Sequence, residues 1–340
     1  MNGIWKLPML NEITELPTGF LDADHKDLLG ILSTPTIIHL KGDRSEPLFI
    51  STLLHGNEDT GLLALQMLLK KYQEKELPRD LIVFIANVEA AAKDMRHLEN
   101  QPDYNRIWPG TDHENCKETE MMQQVVDIVK ARQPFASIDL HNNTGRNPHY
   151  GCVNRLSPQY LQLARLFSHT VVYFTTPKGV QSEALATICP SVTLECGKVG
   201  EVDGIEHACR FLDTTIQLEH LPSHEPSDID LFHTVARVKI KQGVDFSFDG
   251  SGELSLNGQV ELYNFREIEQ GTEFASVNSD DLGLFEVWDD HEKNVVEEYF
   301  EISNGKIVLK KPMMPSMFTK NTEVISQDCL CYLMERIEPK

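Results

Sequence analysis

The 340-residue sequence predicts an α/β fold, an open mixed sheet flanked by helices, with a smaller β-rich domain after it. Over the first two thirds of the chain, apolar runs of strand length alternate with amphipathic segments of helix length, which favours helices on both faces of a sheet. A stretch rich in Pro, Ser and acids at 221–228 interrupts this alternation. Short strands follow it. We therefore predict two domains, 1–225 and 226–340.

The first domain is predicted to alternate strands and helices. The strands are short apolar runs at 36–40, 47–54, 81–88, 134–140, 170–175 and 188–194. The helices have apolar residues three and four positions apart, at 60–76, 117–132, 157–168 and 203–218. In open α/β sheets, ligands bind at the carboxyl ends of strands. Polar residues at those ends are therefore the first candidates for a functional site.

The second domain has the pattern of a small β structure. Residues 235–240 alternate between apolar and polar, and turn signals follow at 249–250, 257–258 and 304–305. From residue 226 onward, 22 acids stand against 11 bases, which makes this part about twice as acidic per residue as the rest. We interpret the acidity as a solvated surface and expect this domain to cap the active site.

Charge and cysteine content exclude several classes of function. The chain has 31 basic and 52 acidic residues, and 31 − 52 gives a net charge of −21. Nucleic acids and anionic membranes bind basic surfaces, so neither is an expected partner. The seven cysteines include no Cys-x-x-Cys pair, which suits a reducing compartment. The first residues lack the pattern of a signal peptide, and we expect a cytoplasmic protein.

Two separated segments resemble the halves of one metal site. His55 and Glu58 follow an apolar strand and precede an amphipathic helix, and His141 follows a second strand. Two imidazoles and one carboxylate form the open ligand set of catalytic zinc, which leaves a position for water and polarises a carbonyl group. We therefore predict one Zn²⁺ ion per chain. A purely structural site would more often be closed by four ligands and contain cysteine.

Two further acids lie near the ends of predicted strands. Asp139 stands two residues before His141, so on a strand both side chains point to the same face. It could therefore orient the imidazole through the ring nitrogen that does not bind metal. Glu195 ends the apolar run 188–194, where a carboxylate is costly to bury unless it is paired or functional.

The order of these motifs resembles the succinylglutamate desuccinylase/aspartoacylase family, a branch of the zinc carboxypeptidase-like fold. The resemblance covers roughly residues 36–215 and implies that fold for the first domain. Residues 55–58 resemble the family's first two zinc ligands, and 139–141 its third. Residues 105–106 resemble its Asn-Arg pair, and 194–197 the strand end that carries its catalytic glutamate.

The resemblance implies a role for each of these residues. Glu195 would be the general base, and Arg96, which precedes the Asn-Arg pair, would stabilise the oxyanion. Asn105 and Arg106 would bind a carboxylate of the substrate. Asn142 and Arg146, in the polar segment after His141, are further candidates for substrate binding.

The chain departs from the family pattern in two places. The segment 142–151 is longer and more polar than expected, and the region 312–318 lacks the tyrosine of the aspartoacylase pocket. Neither departure affects the metal-site residues. The predicted function, as the resemblance implies, is zinc-dependent hydrolysis of the amide of an N-acyl amino acid or similar small anionic substrate. A carboxypeptidase acting on short peptides and a non-catalytic metal-binding or regulatory protein are the alternatives. A homo-oligomer is left open.

Overall fold

A computed structural model describes residues 9–277 and 282–337 of the chain. The chain divides into two compact units. The first contains the residues up to Asn142, His149–Val171 and Pro177–Ile229, and the second contains Asn143–Pro148, Val172–Thr176 and the residues from Asp230 onward. The main boundary therefore lies between residues 229 and 230, close to the linker-like stretch 221–228.

The first unit contains the alternating strands and helices. In chain order they are β1 (Asn11–Ile13), α1 (Leu28–Leu32), β2 (Thr36–Leu40), β3 (Gly42–Thr52), α2 (Thr60–Lys71), β4 (Leu77–Ile85), α3 (Val88–Ala91), α4 (Lys117–Ala131), β5 (Ala136–Asn143), β6 (Tyr150–Val153), α5 (Pro158–Phe167), β7 (Thr170–Tyr173), α6 (Gln181–Leu185), β8 (Ser191–Lys198) and α7 (Val202–Gln217). Two short 3-10 helices, Phe20–Asp22 and His25–Asp27, precede α1.

The strands of this unit form a mixed sheet in the order β1-β2-β4-β3-β5-β8-β6-β7. β3 runs parallel to both β4 and β5, with Ile50 opposite Val83 on one side and Ile138 on the other. β2 pairs with β4, and β6 with β8, in antiparallel fashion. The predicted α/β class with an open mixed sheet is confirmed. The carboxyl ends of β3 and β5 therefore meet at one edge, as the metal-site prediction requires.

Buried apolar side chains hold the helices against this sheet. Phe49, Ile82 and Phe84 lie in one cluster with residues of α4, including Met122 and Val125, and all five side chains are fully buried or nearly so. α2 and α7 pack on each other, and they contact β3 and β4 respectively. Burial on the scale of about 25 cal/mol per Å² of apolar surface makes this packing the main stabilising contribution.

The second unit is β-rich, as predicted. Its elements are β9 (Asp230–Ile240), β10 (Phe246–Ser247), β11 (Leu254–Leu256), β12 (Glu273–Val277), β13 (Phe285–Asp289), α8 (Val296–Tyr299), β14 (Phe300–Ser303), β15 (Lys306–Leu309), β16 (Met314–Ser316), α9 (Thr322–Gln327) and β17 (Cys331–Arg336). Short 3-10 helices occupy Val260–Tyr263 and Leu282–Leu284.

Two groups of paired strands build this second unit. β9 pairs with β13 and β17 and β17 with β16, whereas β10-β11-β12-β15-β14 form a separate five-stranded sheet. The predicted turn at 304–305 is a two-residue hairpin loop, because Ser303 pairs with Lys306. Both loop residues have positive φ, as a type I′ turn requires. Phe274, Phe285, Phe300 and Phe318 contribute to a common apolar core.

The predicted elements differ from the observed ones chiefly where strands carry polar residues. β5 extends through Asn142 and Asn143, and β8 extends past Glu195, so His141 and Glu195 lie within strands rather than after them. Apolar periodicity identifies the interior of a strand, but it fails where buried polar side chains find polar partners. The strand β6, which was not predicted, begins at Tyr150, at the end of the polar segment 142–151.

The described helices give no sign of a membrane span. Among residues 9–277 and 282–337, no helix combines the length and the low polarity needed to cross a bilayer.

Candidate active site

The turn between β3 and α2 carries two of the predicted metal ligands, His55 and Glu58. Gly56, between them, lies so close to α3 that a Cβ atom there would be 2.2 Å from the backbone nitrogen of Ala91. Only glycine fits this close approach. The Gly56 N–H also donates to the carbonyl oxygen of Arg96 at 3.0 Å. The path of the turn is thereby fixed, and both ligand side chains are buried.

Strand β5 carries the third predicted ligand, His141, and the acid Asp139. Because successive strand residues point to opposite faces, these two side chains share a face. Asp139 is fully buried, and its Oδ2 lies 2.7 Å from His141 Nε2. The Ser51 hydroxyl of the neighbouring β3 donates to Asp139 Oδ1 at 2.7 Å. Both oxygens of this buried carboxylate therefore have partners.

The three predicted ligands converge. Donor atoms of His55, Glu58 and His141 all lie within 4.8 Å of one another. Nδ1 of His55 is 2.8 Å from Glu58 Oε1, and Nδ1 of His141 is 2.8 Å from Glu58 Oε2. The two imidazole rings meet edge to face with their centroids 4.9 Å apart. The fold therefore brings two distant segments of sequence into one group that could hold a metal ion.

The outer nitrogens of both rings face carboxylates, and this supports the binding of a cation between the inner ones. His55 Nε2 lies 3.0 Å from Asp103 Oδ1, and His141 Nε2 lies 2.7 Å from Asp139 Oδ2. Rings that donate from Nε2 direct the lone pairs of Nδ1 toward Glu58. Lone pairs and a carboxylate repel each other unless a proton or a metal ion lies between them. The donor set therefore fits a divalent metal ion.

The electrostatics of the cluster agree with this interpretation. Burial alone would raise the pKa of Glu58, but the neighbouring His55 and His141 hold it well below the usual range. Burial would lower the pKa of His141, but Asp139 and Glu58 raise it well above the ordinary value. The carboxylates thus create a strong demand for positive charge at this point, which a proton or a metal ion can satisfy.

Glu195, on β8, differs from the ligand Glu58 in its hydrogen bonding and in the direction of its pKa shift. Its side chain is buried, and within the described part of the chain its Oε2 has no hydrogen-bond partner. Burial, together with the nearby carboxylates of Glu58 and Asp139, raises the pKa of Glu195 to about 8, although His141 and Arg96 oppose the shift. A buried carboxyl group with a raised pKa beside a metal-ligand cluster is a candidate for acid–base chemistry.

Asp103, which was not predicted from the sequence as a site residue, holds Arg96 next to the ligand cluster. The Arg96 guanidinium donates twice to Asp103 Oδ2, from Nε at 3.1 Å and from a terminal nitrogen at 2.9 Å, and lies 3.9 Å from Glu58 Oε1. Burial would raise the pKa of Asp103, but Arg96, His55 and Arg106 hold it well below the usual range. Asp103 therefore orients a ligand imidazole and an arginine together. Its place two residues before the Asn-Arg pair was the only signal in the sequence.

Asn105 and Arg106 lie beside the same cluster. Asn105 Oδ1 accepts from the Gln181 backbone at 3.0 Å, and its Nδ2 is 3.2 Å from His141 Nε2. His141 Nε2 cannot accept a hydrogen bond from Asn105 while it donates to Asp139, and its contact with Asp139 is the shorter of the two. Arg106 donates to the Asn105 carbonyl at 2.8 Å, and its side chain is partly exposed.

Asn142 and Arg146, the other predicted substrate contacts, lie in different surroundings. The Asn142 amide is buried and takes its partners from Thr60 and Gly197. Arg146 belongs to the second unit, where it is exposed and its carbonyl accepts from Asn264 Nδ2 at 3.1 Å. A role for Arg146 in substrate binding stays a prediction.

One family model matches the chain. It is described as the succinylglutamate desuccinylase/aspartoacylase catalytic domain, and it matches residues 45–217, slightly more than half of the chain. The match includes the metal-ligand cluster, Arg96, Asp103, the Asn-Arg pair and Glu195. A search among curated proteins found no match.

Solved structures with the same fold share little sequence with this chain. Succinylglutamate desuccinylase from Vibrio parahaemolyticus is 15% identical with a TM-score of 0.59, over 87% of this chain and 83% of that one. Murine aminoacylase 3 is 15% identical with a TM-score of 0.61, over 87% and 97%. A succinylglutamate desuccinylase/aspartoacylase from Rhodobacter sphaeroides is 14% identical with a TM-score of 0.59, over 88% and 89%.

Proposed function

The chain belongs to the succinylglutamate desuccinylase/aspartoacylase family, and from that premise we propose that it is a zinc-dependent amide hydrolase. Its substrate would be an N-acyl amino acid or a similar small anionic molecule. The observation that carries this proposal is the meeting of three metal-ligand side chains with a buried, incompletely paired carboxylate, Glu195. Metal-assisted hydrolysis needs both components, a cation site and a base.

Zinc is the proposed metal because of the ligand types. Two imidazoles and one carboxylate, His55, His141 and Glu58, form the ligand set of catalytic zinc sites that keep a position for a non-protein ligand. When bound, the ion supplies Lewis acidity, which polarises a carbonyl group and makes a water molecule more acidic. Asp103 and Asp139 would keep both rings in the tautomer that presents Nδ1.

Glu195 is the proposed general base. It would take a proton from the attacking water as the water oxygen bonds to the acyl carbon. It would then deliver that proton to the nitrogen as the carbon–nitrogen bond breaks, so that the products are a carboxylic acid and an amine. A carboxyl group with a raised pKa suits both steps, because it accepts and returns a proton near neutral pH.

Two arginines have separate proposed tasks. Arg96 would stabilise the negative oxygen of the tetrahedral intermediate, and its two hydrogen bonds to Asp103 fix its direction in advance. Arg106 would bind a substrate carboxylate together with the N–H groups of Asn105. Together with a bound divalent cation, these arginines would offset the negative charge of Glu58, Asp103 and Asp139 in a chain whose net charge is −21. Screening over about 8 Å at physiological salt lets this local field control binding.

A substrate panel and a metal analysis test the proposal together. Purified protein should contain zinc, lose activity with a chelator and regain it on zinc addition. It should hydrolyse N-acetyl or N-succinyl derivatives of amino acids and leave tetrapeptides intact. Release of C-terminal residues from tetrapeptides, without action on acyl amino acids, would instead identify a carboxypeptidase. Protein that contains no zinc, with a Tm unmoved by chelator or zinc, would identify a non-catalytic relative.

The carboxylate contact can be tested within the same panel. Arg106→Ala should raise KM for acyl amino acids and change little for the matching C-terminal amides, because the amides lack the negative charge. Arg210→Ala is the control, since Arg210 is an exposed residue of α7 that pairs with Glu206. Equal KM values for Arg106→Ala and the parent on every acidic substrate would show that the carboxylate binds elsewhere.

A further inference from the structure

Asn142 occupies the point where three parts of the candidate site meet. It follows the ligand His141 on β5, and its backbone N–H donates to Oε2 of the ligand Glu58 at 3.0 Å. Its side chain contacts two other segments, at Thr60 and Gly197. Thr60 stands two residues after Glu58, and Gly197 stands two residues after Glu195. One residue therefore touches every segment that carries a metal ligand or the proposed base.

The amide of Asn142 is committed to these contacts. Its Oδ1 accepts from the Thr60 N–H at 3.2 Å, and its Nδ2 donates to the Thr60 hydroxyl at 2.8 Å and to the Gly197 carbonyl at 2.9 Å. Both N–H bonds of the amide are thereby used. Asn142 is 5% exposed and Thr60 is fully buried, so water cannot replace a lost partner easily. These contacts leave little of the amide for a substrate.

The contact with Thr60 fixes the start of α2. Thr60 is the first residue of this helix, and its N–H belongs to the group that no helical carbonyl can satisfy. Asp59, the preceding residue, makes no side-chain cap bond among the described atoms. Asn142, on strand β5, instead accepts the hydrogen bond from the Thr60 N–H and so caps the helix. Because the helix start and Glu58 belong to one short turn, the cap also restricts where Glu58 can lie.

The contact with Gly197 fixes the end of β8. Gly197 has φ of +84°, and a Cβ atom there would lie 2.9 Å from Nε2 of His149. The backbone at this point is therefore confined by His149 on one side and bonded to Asn142 through its carbonyl. Glu195, two residues earlier on β8, is thus tied to the same amide as the ligand turn.

We infer that Asn142 is a positioning residue, which sets the placement of Glu195 relative to the metal ligands through Thr60 and Gly197. The inference rests on the proposed function for the role of Glu195. It replaces the expectation that Asn142 binds substrate. Loss of the amide should loosen both the ligand turn and the base, so it should weaken metal binding and lower kcat while KM changes less.

Paired variants separate positioning from simple stabilisation. Asn142→Ala removes the whole amide, Thr60→Val removes one acceptor of the amide, and Thr60→Ser keeps that acceptor. Gln66→Ala is the matched control on the same helix. Gln66 is equally buried, and its amide donates to the carbonyls of Phe20 and Ala23 at 2.7 and 2.9 Å. Each variant is measured for the Kd of zinc against a competing chelator, for Tm, for kcat and KM, and for the pH profile of kcat.

The expected results distinguish the two roles. Asn142→Ala should weaken zinc binding and lower kcat by about 10- to 100-fold each, the range seen when groups that orient metal ligands are removed. Thr60→Val should change both in the same direction by less, and Thr60→Ser should restore values near those of the parent. Asn142→Ala should also displace the acidic limb of the kcat profile. Gln66→Ala should lower Tm while its zinc Kd, kcat and pH profile stay near those of the parent.

Three results would overturn the inference. If Asn142→Ala and Gln66→Ala have similar Tm, equal zinc Kd values and equal kcat values, Asn142 contributes only to stability. A rise in KM alone would return it to the substrate contacts. If Asn142→Ala does not fold, Asn142→Asp is combined with Thr60→Val instead. If the effects of these two substitutions on zinc affinity simply add, Asn142 and Thr60 act independently, which would also contradict the inference. The zinc measurements need no turnover, so they decide the inference even if the parent hydrolyses no acyl amino acid.

Discussion

Asp80 and Glu195 are buried carboxylates of the same unit, but their surroundings differ. Asp80 lies near the beginning of β4 and is 2% exposed, and Glu195 lies toward the end of β8 and is 8% exposed. Asp80 Oδ1 accepts from the Gly42 N–H at 2.9 Å, and Oδ2 accepts from Lys41 at 3.1 Å and Arg132 at 2.9 Å. Glu195 has an oxygen without a partner among the described residues.

The difference lies in how far the surroundings compensate for burial of the carboxylate. A buried carboxylate is costly unless hydrogen bonds or charges compensate for the lost water. At Asp80 the compensation is complete, and the group links β3, β4 and the end of α4. At Glu195 it is incomplete, a cost to stability that is expected of a group retained for function, as the proposed base would be. Exposure alone would not have separated the two.

The largest expected effect is the loss of activity in Glu195→Gln. Removal of the base should lower kcat by about 10³-fold, within the range for general acid–base catalysis, while zinc content and fold are retained. Glu201→Gln is the control, because Glu201 is exposed and accepts a hydrogen bond from the Lys198 N–H. Steady-state kinetics with zinc analysis measures both. A large loss in Glu201→Gln with normal turnover in Glu195→Gln would move the base to Glu201.

Asp80→Asn should show the opposite behaviour, a loss of stability without a loss of activity. Removal of a buried charge with three partners should lower the free energy of unfolding by about 3 kcal/mol. Lys41→Gln is its control and should cost much less, since the Lys41 side chain is 84% exposed. Denaturant unfolding and kcat on the same samples measure both quantities. If Asp80→Asn reduced kcat in a fully folded protein, the proposed division between the two carboxylates would be wrong.

The pH dependence of activity should report the ionisation of Glu195. The reaction needs the carboxylate form, so kcat should rise with pH through the pKa of this group. The pKa is about 8 in the protein without metal, and the charge of a bound cation lowers it, so the acidic limb should fall between 4.5 and about 8. About two pH units below its midpoint, activity should be about 100-fold lower. A kcat profile that stays flat from about pH 4 to 8 would exclude Glu195 as the base.

The smallest expected effect is a gain of stability in Glu195→Gln. The pKa of this carboxyl group is raised on folding from 4.5 to about 8, so the folded state binds the proton more tightly than the unfolded state. Stability is therefore lost as pH rises from about 4.5 to 8. In metal-free protein at pH 9, the substitution should add about 2 kcal/mol to the free energy of unfolding, and at pH 4 very little. Unfolding curves at both pH values measure this, and a destabilised variant at pH 9 would contradict it.

The sequence by itself determined the fold class and pointed to the three side chains that the fold brings together as a group able to hold a metal ion. Apolar runs and amphipathic segments identified the alternating strands and helices, because burial against a sheet imposes those periodicities. The turn 55–58 and the pair Asp139–His141 were also identifiable, since their spacing within one segment fixes their relative directions. The family likeness then supplied the predicted roles of Glu195, Arg96 and the Asn-Arg pair.

Only the tertiary structure decided which groups complete one another. Asp103 looks like an ordinary loop acid in the sequence, and folding places it between His55 and Arg96. Asn142 is predicted from the sequence to contact substrate, and only the fold shows that its amide donates to Thr60 and Gly197. Hydrogen bonds between residues 55 and 82 positions apart leave no periodic signal in the sequence, because their geometry depends on how the strands are ordered in the sheet. The sequence shows which polar groups are present, and the fold decides which of them remain without a partner.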